Sequence, residues 1–101
     1  MKASNNLQAI SGTSFHNHTF IASVNQIEKI LGKASYEQNG GWKVNFEWVA
    51  ETNSGHIFTI YDYKEYRTIS LDESIRWHIG GHSGFITEEA LSEIKEELEK
   101  L

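Results

Sequence analysis

Hydrophobic and polar positions alternate in two segments of the chain, 42–48 and 75–79, and this period of two predicts β-strands. Residues 56–63 predict another strand, in which neither face is purely polar, as in a central strand covered on both sides or one with a partner on its outer face. The segment 52–55 contains Thr, Asn, Ser and Gly, so it predicts a turn that joins the strands 42–48 and 56–63 into a hairpin. Residues 13–22 are rich in β-branched and aromatic side chains and predict a further strand.

Two other segments carry the apolar spacing of helices. Ser23 and Gln26 form the S-x-x-Q pattern of a capping box, and Gly32 supplies a C-terminal stop, so a helix is predicted over 24–31. The last segment of the chain has one apolar stripe, and Thr87 is its expected N-cap. The stripe consists of Ile86, Ala90, Leu91, Ile94, Leu98 and Leu101.

These elements predict an α+β fold. We expect an antiparallel sheet of about four or five strands, with the short helix and the C-terminal amphipathic helix packed against it. The single domain spans 13–101, and the small polar residues of 1–12 predict a flexible N-terminal arm. A chain of 101 residues with 39% hydrophobic content has room for one modest core.

Composition removes several classes of protein. The chain has no cysteine, which excludes disulfides, thiolate zinc sites, iron–sulfur clusters and a cysteine nucleophile. Its apolar runs are only a few residues long, so we expect no membrane-spanning helix and no membrane partner. The N-terminal residues lack the apolar segment of a signal peptide, and a cytoplasmic setting is the default expectation.

The acidity of the chain is concentrated at its C-terminus. Residues 88–101 hold six acidic and two basic side chains, a balance of −4 within a net charge of −5. A solvated helix face explains this pattern. The alternative is an acidic protein-binding inhibitor of the anti-CRISPR or anti-restriction type, which blocks a basic groove on another protein through Glu93, Glu96 and Glu97. No basic stripe is present, so we expect no binding to duplex nucleic acid.

The five histidines are candidates for metal binding or acid–base chemistry. His16 and His18 are two apart on a predicted strand, and His78 and His82 flank a pair of glycines. With Asp62 these imidazoles offer nitrogen and oxygen ligands, but their spacing matches no known metal motif, so we predict no metal site and no cofactor. A histidine-dependent phosphodiesterase is a further alternative, although the hydroxyl residues after His18 and His82 are one position too close.

Aromatic rings and cations give the strongest chemical signal. Residues 61–67 contain three tyrosines, one lysine and one arginine. Rings offer stacking surfaces to bases, and lysine and arginine neutralise phosphates. Residues 80–84 are expected to form a glycine-rich loop, in which the N–H groups of Gly80 and Gly81 contact an anion. Together these features predict a nucleotide-binding protein rather than an enzyme.

Two blocks of sequence resemble a family of small bacteriophage proteins. Residues 58–64 (FTIYDYK) are similar to its TIYD-aromatic-K strand, and 77–83 (WHIGGHS) to its WHIGG block, which precedes an acidic helix. The strand 43–48 is also similar, and the resemblance covers about 13–98. It implies a phage counter-defence protein of the anti-CBASS or anti-Thoeris type, acting in the host bacterial cytoplasm. Such proteins sequester a nucleotide immune signal without cleaving it, in pockets at subunit interfaces of a homo-oligomer.

The expected ligand is therefore a cyclic oligonucleotide or a cyclic ADP-ribose-type signal. The rings expected to stack on bases are Tyr61, Tyr63 and Trp77. The cations expected at phosphates are Lys64, Arg67 and Arg76. Backbone, hydroxyl and imidazole contacts are expected from Gly80, Gly81, Ser83, His78 and His82. We assign Trp42 and Trp48 to the core or to a dimer seam. A homo-oligomer is expected because the hairpin has little polar surface to face water and the core is small.

Overall fold

A computed structural model describes all 101 residues and contains six β-strands and two α-helices. The strands are β1 (Lys2–Ala3), β2 (Ser14–Ala22), β3 (Tyr36–Glu37), β4 (Phe46–Glu51), β5 (Ile57–Tyr61) and β6 (Ile75–Gly81). The helices are α1 (Val24–Leu31) and α2 (Gly84–Glu99), and one turn of 3-10 helix covers Leu7–Ile10. The α+β prediction is confirmed. Neither helix has both the length and the apolar content needed to cross a lipid bilayer.

All strands pair antiparallel, in the order β1-β4-β5-β6-β2, with β3 also paired to β4. The hairpin of β4 and β5 places Trp48 opposite Ile60, and β6 places Trp77 opposite Phe20. These four side chains are buried and belong to one face of the sheet. Successive residues of a strand point to opposite faces of the sheet, so the neighbours of these four residues in the chain point to the second face.

The first face carries the core. Trp48 and Trp77 meet edge to face with their ring centroids 5.4 Å apart, and Phe46 lies beside both rings. Both helices contribute apolar side chains to this layer, among them Ile27 and Ile94. The assignment of Trp48 to the core agrees with this packing, whereas the Trp42 side chain is 54% exposed and lies outside the sheet.

Helix α1 begins and ends where its sequence predicts. The Ser23 hydroxyl accepts from the Gln26 N–H, and the Gln26 side chain accepts from the Ser23 N–H, which completes the capping box. Gly32 follows the helix with a φ of 82°, a left-handed value that glycine adopts at low cost. The predicted N-cap of α2 was wrong. Ser83 caps that helix, while Thr87 is buried and donates to the Gly84 carbonyl at 3.1 Å.

The first twelve residues, predicted as a flexible arm, lie along the sheet. Strand β1 pairs with β4, and the Ser4 N–H donates to the Val49 carbonyl at 2.9 Å. The 3-10 turn Leu7–Ile10 contacts β5. Val49 and Thr59 point to the second face and are nevertheless buried. The arm therefore covers one half of that face and leaves the other half open.

A buried carboxylate joins the start of β4 to the end of β5. Asp62 accepts from the N–H groups of Asn45 and Phe46, both at 2.8 Å, and from the Asn45 side-chain amide at 2.9 Å. The Asn45 side-chain oxygen accepts three backbone N–H groups from the turn at 40–42. This Asp62–Asn45 clip replaces strand pairing here, so β4 begins at Phe46 rather than at the predicted position 42.

Replacement of Asp62 by alanine tests the clip. Asp62→Ala leaves the backbone N–H groups of Asn45 and Phe46 buried without an acceptor, and each such group costs about 1–3 kcal/mol. The Asn45 side-chain amide loses one acceptor and keeps the Trp42 and Arg67 carbonyls. We expect the free energy of unfolding in urea to fall by about 3 kcal/mol or more. The matched control is Asp72→Ala, an exposed carboxylate whose one contact is a 3.4 Å bond from Asn25. Equal stability of the two variants would contradict the role given to the clip.

A second polar contact fastens α2 to the hairpin turn. Glu89 accepts from the Ser54 hydroxyl at 2.7 Å and lies 3.2 Å from His56 Nδ1. The Ser54 hydrogen bond is the main reason why the pKa of Glu89 falls to about 2, with smaller contributions from Thr52 and His56. Glu93 accepts from the Asn53 N–H at 3.1 Å. Part of the acidic face of α2 is therefore used within the fold.

The pKa of Glu89 predicts a pH dependence of stability. A carboxyl whose folded pKa lies below its ordinary value of 4.5 stabilises the fold above that pH and loses this effect as the pH falls toward 2. Glu89→Gln is expected to unfold at a lower urea concentration than the parent at pH 7, with the two curves converging near pH 2. Glu96→Gln, an exposed neighbour without a partner, is the control. A constant difference across pH 2–7 would contradict the prediction.

Candidate ligand-binding site

Four aromatic side chains meet on the open half of the second sheet face. We call Phe15, Tyr61, Tyr63 and His78 the ring cluster. His78 is at its centre, with centroid distances of 4.8 Å to Phe15, 5.7 Å to Tyr61 and 5.4 Å to Tyr63. The strand register explains the cluster, because Tyr61 pairs with His78 across β5 and β6. Phe15 joins from β2, where it pairs with Gly80.

Two adjoining hollows surround the ring cluster. The smaller hollow, of about 240 Å³, is lined by the four rings. The larger, of about 380 Å³, shares Tyr61 and Tyr63 with it and continues over Gly80 toward Lys43 and Glu47. We call this larger hollow the groove. Its volume lies in the range of small-molecule sites.

Two lysines stand at the rim of the groove. Lys43 Nζ lies 5.3 Å and Lys64 Nζ 5.2 Å from the centroid of the Tyr63 ring, within cation–π distance. Neither ammonium makes an ion pair. The Lys64 N–H donates to the Lys43 carbonyl at 2.8 Å, and Lys64 has a left-handed φ of 59°. A constrained backbone thus holds both cations next to the rings.

Arg76 is a third cation on this face. It lies two residues before His78 on β6, so it points to the same side of the sheet. Its guanidinium donates to the Thr19 hydroxyl at 2.8 Å and makes no ion pair, and the residue is exposed. Arg76 is therefore free to contact an anionic group placed beside the ring cluster.

His78 presents an unused polar atom within the ring cluster. Its Nδ1 is buried and has no hydrogen-bond partner. Burial lowers the pKa of His78 below its ordinary value, and the positive charge of Arg76 lowers it further. The ring is therefore neutral at pH 7, when one of its nitrogens is a donor and the other an acceptor.

Glu47 brings a carboxylate to the groove. It pairs with Tyr61 in the register of β4 and β5 and is half-buried. Burial raises the pKa of Glu47, because a charge is less stable away from water. The pKa of Tyr61 is raised as well, first by burial and then by the charge of Glu47. Both groups therefore lie in a poorly hydrated part of the groove.

Gly80 forms the floor of the groove. The prediction that Gly80 and Gly81 lie in a loop was wrong. Both glycines belong to β6 and pair with β2, so their backbone groups take part in the sheet. A Cβ at Gly80 would lie 2.6 Å from the Thr59 hydroxyl and 3.4 Å from a Tyr61 ring carbon. Any side chain here would displace the groove lining. On the other face, a Cβ at Gly81 would lie 2.8 Å from the Thr87 methyl.

The structure separates other predicted residues from this site. The Trp77 ring is fully buried in the core, where its Nε1 donates to the Ala22 carbonyl at 2.8 Å, so it cannot stack on a ligand at the groove. Arg67 is bound to Glu73 at 2.6 Å and to Glu65 at 3.1 Å. Its guanidinium is thus already paired with two carboxylates.

The end of β6 serves the fold. Ser83 caps α2, and Gly81 leaves room for that helix. His82 Nε2 lies 2.7 Å from the Ala9 carbonyl and holds the N-terminal arm. Of the predicted site residues, the structure brings together Tyr61, Tyr63, Lys64, His78 and Gly80, with Arg76 alongside.

Three groups in the site were not predicted from the sequence, namely Phe15, Lys43 and Glu47. Phe15 is distant in the chain and reaches the rings only through the pairing of β2 with β6. Glu47 is placed by the hairpin register, which the alternation over 42–48 implies once the turn is fixed. Lys43 needs the Asp62–Asn45 clip, for which the sequence carries no recognisable signal.

The remaining histidines contact their own chain. His16 Nε2 lies 3.0 Å from the Gly81 carbonyl, and His18 Nδ1 lies 2.7 Å from the Thr87 hydroxyl. No group of three or more histidine, aspartate or glutamate side chains is arranged to hold a metal ion. His78 is the one histidine that lines either hollow.

The titration of His78 tests the geometry of the ring cluster. In a pH titration followed by NMR, the His78 ring should titrate below its ordinary pKa of 6.5. Because the neutral ring is favoured in the fold, its contribution to stability is present above that pH and is lost as the pH falls. Phe15→Ala removes a covering ring and should move the midpoint back toward 6.5. A parent midpoint at or above 6.5 would contradict the burial described here.

Comparison of the chain with protein family models, curated proteins and solved structures finds no significant match.

Proposed function

We propose that this protein binds a nucleotide on the open face of its sheet and sequesters it without cleaving it. The observation that carries the proposal is the ring cluster with unpaired cations at its rim. A nucleotide combines a flat base with an anionic group, and this face offers a partner for each. Small-molecule sites are lined mainly by apolar and aromatic side chains, as the rings are here, and a few polar groups fix the orientation of the ligand.

The rings provide the stacking surface. Tyr61 and His78 are stacked, with 5.7 Å between their centroids and 28° between their planes, and we call this pair, which two strands hold in place, the platform. Phe15 and Tyr63 flank the platform and are 41% and 38% exposed, so a ligand can reach them. Each base that stacks on such rings contributes about 1–3 kcal/mol.

The cations provide the phosphate contacts. Lys43 and Lys64 stand beside Tyr63, and Arg76 stands beside His78, all three without a carboxylate partner. In a chain with a net charge of −5, a cluster of three unpaired cations is a local feature that favours an anionic ligand. Phosphate oxygens accept hydrogen bonds from both lysine and arginine.

Binding is favoured over catalysis by the placement of the histidines. A two-histidine phosphodiesterase needs one imidazole to remove a proton while a second donates one near the same phosphate. Of these histidines, only His78 lines a hollow of the site, the smaller one. His16, His18 and His82 contact their own chain. The proposed outcome is a retained ligand that leaves the protein chemically unchanged.

The resemblance to phage proteins narrows the proposed ligand to a cyclic oligonucleotide or a cyclic ADP-ribose-type signal. Its two blocks, 58–64 and 77–83, cover most of β5 and β6 and the residues directly after them, and they contain three of the four rings of the ring cluster. We propose on this ground a phage counter-defence role, with two or more copies of the chain forming the active assembly.

A calorimetric titration with a panel of cyclic dinucleotides, cyclic trinucleotides and cyclic ADP-ribose tests the proposal. Tyr63→Ala removes one stacking ring, so we expect the affinity of a bound nucleotide to fall roughly 5- to 150-fold. Tyr36→Ala is the matched control, because Tyr36 is exposed on β3 and lines neither hollow. Equal affinities of the two variants would place the ligand elsewhere.

The fate of the ligand distinguishes sequestration from hydrolysis. After incubation the protein is denatured and the released nucleotide is analysed by chromatography. Recovery of intact ligand supports sequestration, and recovery of cleaved ligand supports the phosphodiesterase alternative. Ligand at 100 times its Kd should also stabilise the fold by about 2.7 kcal/mol, so a nucleotide that leaves the melting temperature unchanged is not the ligand.

A further inference from the structure

We propose that the groove selects a guanine base, and that the Glu47 carboxylate accepts hydrogen bonds from the N1–H and exocyclic N2–H groups of that base. This inference rests on the proposed function, since it names the base that the nucleotide site takes. It is carried by a carboxylate that lines the groove and has no partner within the chain.

Glu47 differs from the other acidic side chains in this respect. The other part-buried carboxylates each have a hydrogen-bond or ion-pair partner in the chain. For example, a Glu51 oxygen lies 3.5 Å from Lys2 Nζ, and Glu93 accepts a hydrogen bond from the Asn53 N–H. Glu47 makes no hydrogen bond or ion pair, although it is only partly exposed. A carboxylate withdrawn from water without a partner is destabilising. A ligand that donates to it would remove that cost.

The position of Glu47 matches the edge of a stacked base. Glu47 is directly opposite Tyr61 on the same face of the hairpin, and both line the groove. A base stacked on Tyr61 can therefore direct an edge toward the carboxylate. Lys43 lines the same groove, so a phosphate of the same ligand lies within reach of a cation.

The donor pattern of the bases decides which one fits. A carboxylate only accepts hydrogen bonds, and its two oxygens match two neighbouring donors. Guanine presents N1–H and N2–H side by side on its Watson–Crick edge. Adenine and cytosine each place a ring acceptor beside their amino group, and uracil places carbonyls on both sides of its one N–H. These acceptors would face the carboxylate and repel it.

Aromatic rings beside a carboxylate also suit a cationic ligand, because a cation is attracted to the ring faces and to the negative charge. Here Lys43 and Lys64 already occupy cation–π positions on Tyr63, and Arg76 adds a third positive charge. These charges repel a cation and attract an anion. Because these three cations make no ion pair, the site favours a guanine nucleotide over a methylammonium group.

Calorimetric titrations with cyclic di-GMP and cyclic di-AMP test the inference. The parent protein should bind cyclic di-GMP at least tenfold more tightly than cyclic di-AMP. Glu47→Gln exchanges one acceptor for a donor, so it should weaken cyclic di-GMP at least tenfold and change cyclic di-AMP less than threefold. Glu51→Gln, on the same strand and outside the groove, should leave both affinities unchanged. Glu47→Gln should melt no lower than the parent, because it removes an unpaired charge.

The outcomes separate the two proposals. Equal binding of both dinucleotides by the parent, weakened for both by Tyr63→Ala, would overturn guanine selection and leave nucleotide binding in place. A guanine preference that survives Glu47→Gln would also overturn the role of this carboxylate. If the parent binds neither of these dinucleotides nor any nucleotide of the wider panel, the proposed function fails together with the inference.

Discussion

The Asp62–Asn45 clip is the interaction on which the candidate site depends. A single buried carboxylate satisfies the first N–H groups of β4, and the Asn45 side chain fastens the turn at 40–42. The clip ends the regular register of β4 and β5 at the Glu47–Tyr61 pair, and beyond it one backbone hydrogen bond, from the Lys64 N–H to the Lys43 carbonyl, joins the two arms. Lys43 belongs to one arm, and Tyr63 and Lys64 belong to the other. The cations and a ring thereby come to stand over the open sheet face instead of continuing along its edge.

The two faces of the sheet are used in different ways. One face is fully covered by α1 and α2 and contains every large buried ring. The other is covered only where the N-terminal arm crosses it, so the aromatic side chains beyond the arm keep an accessible surface. An exposed group of rings is unfavourable in water unless something binds there. The arm therefore determines the extent of the candidate site by stopping short of it, and His82 holds the arm in that position through Ala9.

Local patterns were sufficient for most of the fold and for part of the site. The alternation over 75–79 assigns Ile75, Trp77 and Ile79 to one face, as observed, and the same alternation assigns His78 to the other. A strict use of this pattern would have removed Trp77 from the predicted stacking rings. Contacts between distant segments have no such local signal. Phe15, for example, reaches His78 only because β2 pairs with β6, and the two residues are some sixty positions apart in the chain. The glycine pair at 80–81 predicts a loop by composition. Glycine is also required in a strand where a neighbouring side chain comes close to the backbone, and composition does not distinguish the two cases.

Gly80 and Gly81 are neighbours in the chain, yet their missing side chains leave space on opposite surfaces of the sheet. At this point a single layer of backbone separates helix α2 from the groove. A side chain at Gly80 would fill part of the groove, whereas a side chain at Gly81 would press on the helix. The depth of the cavity and the seating of the helix thus depend on two adjacent residues.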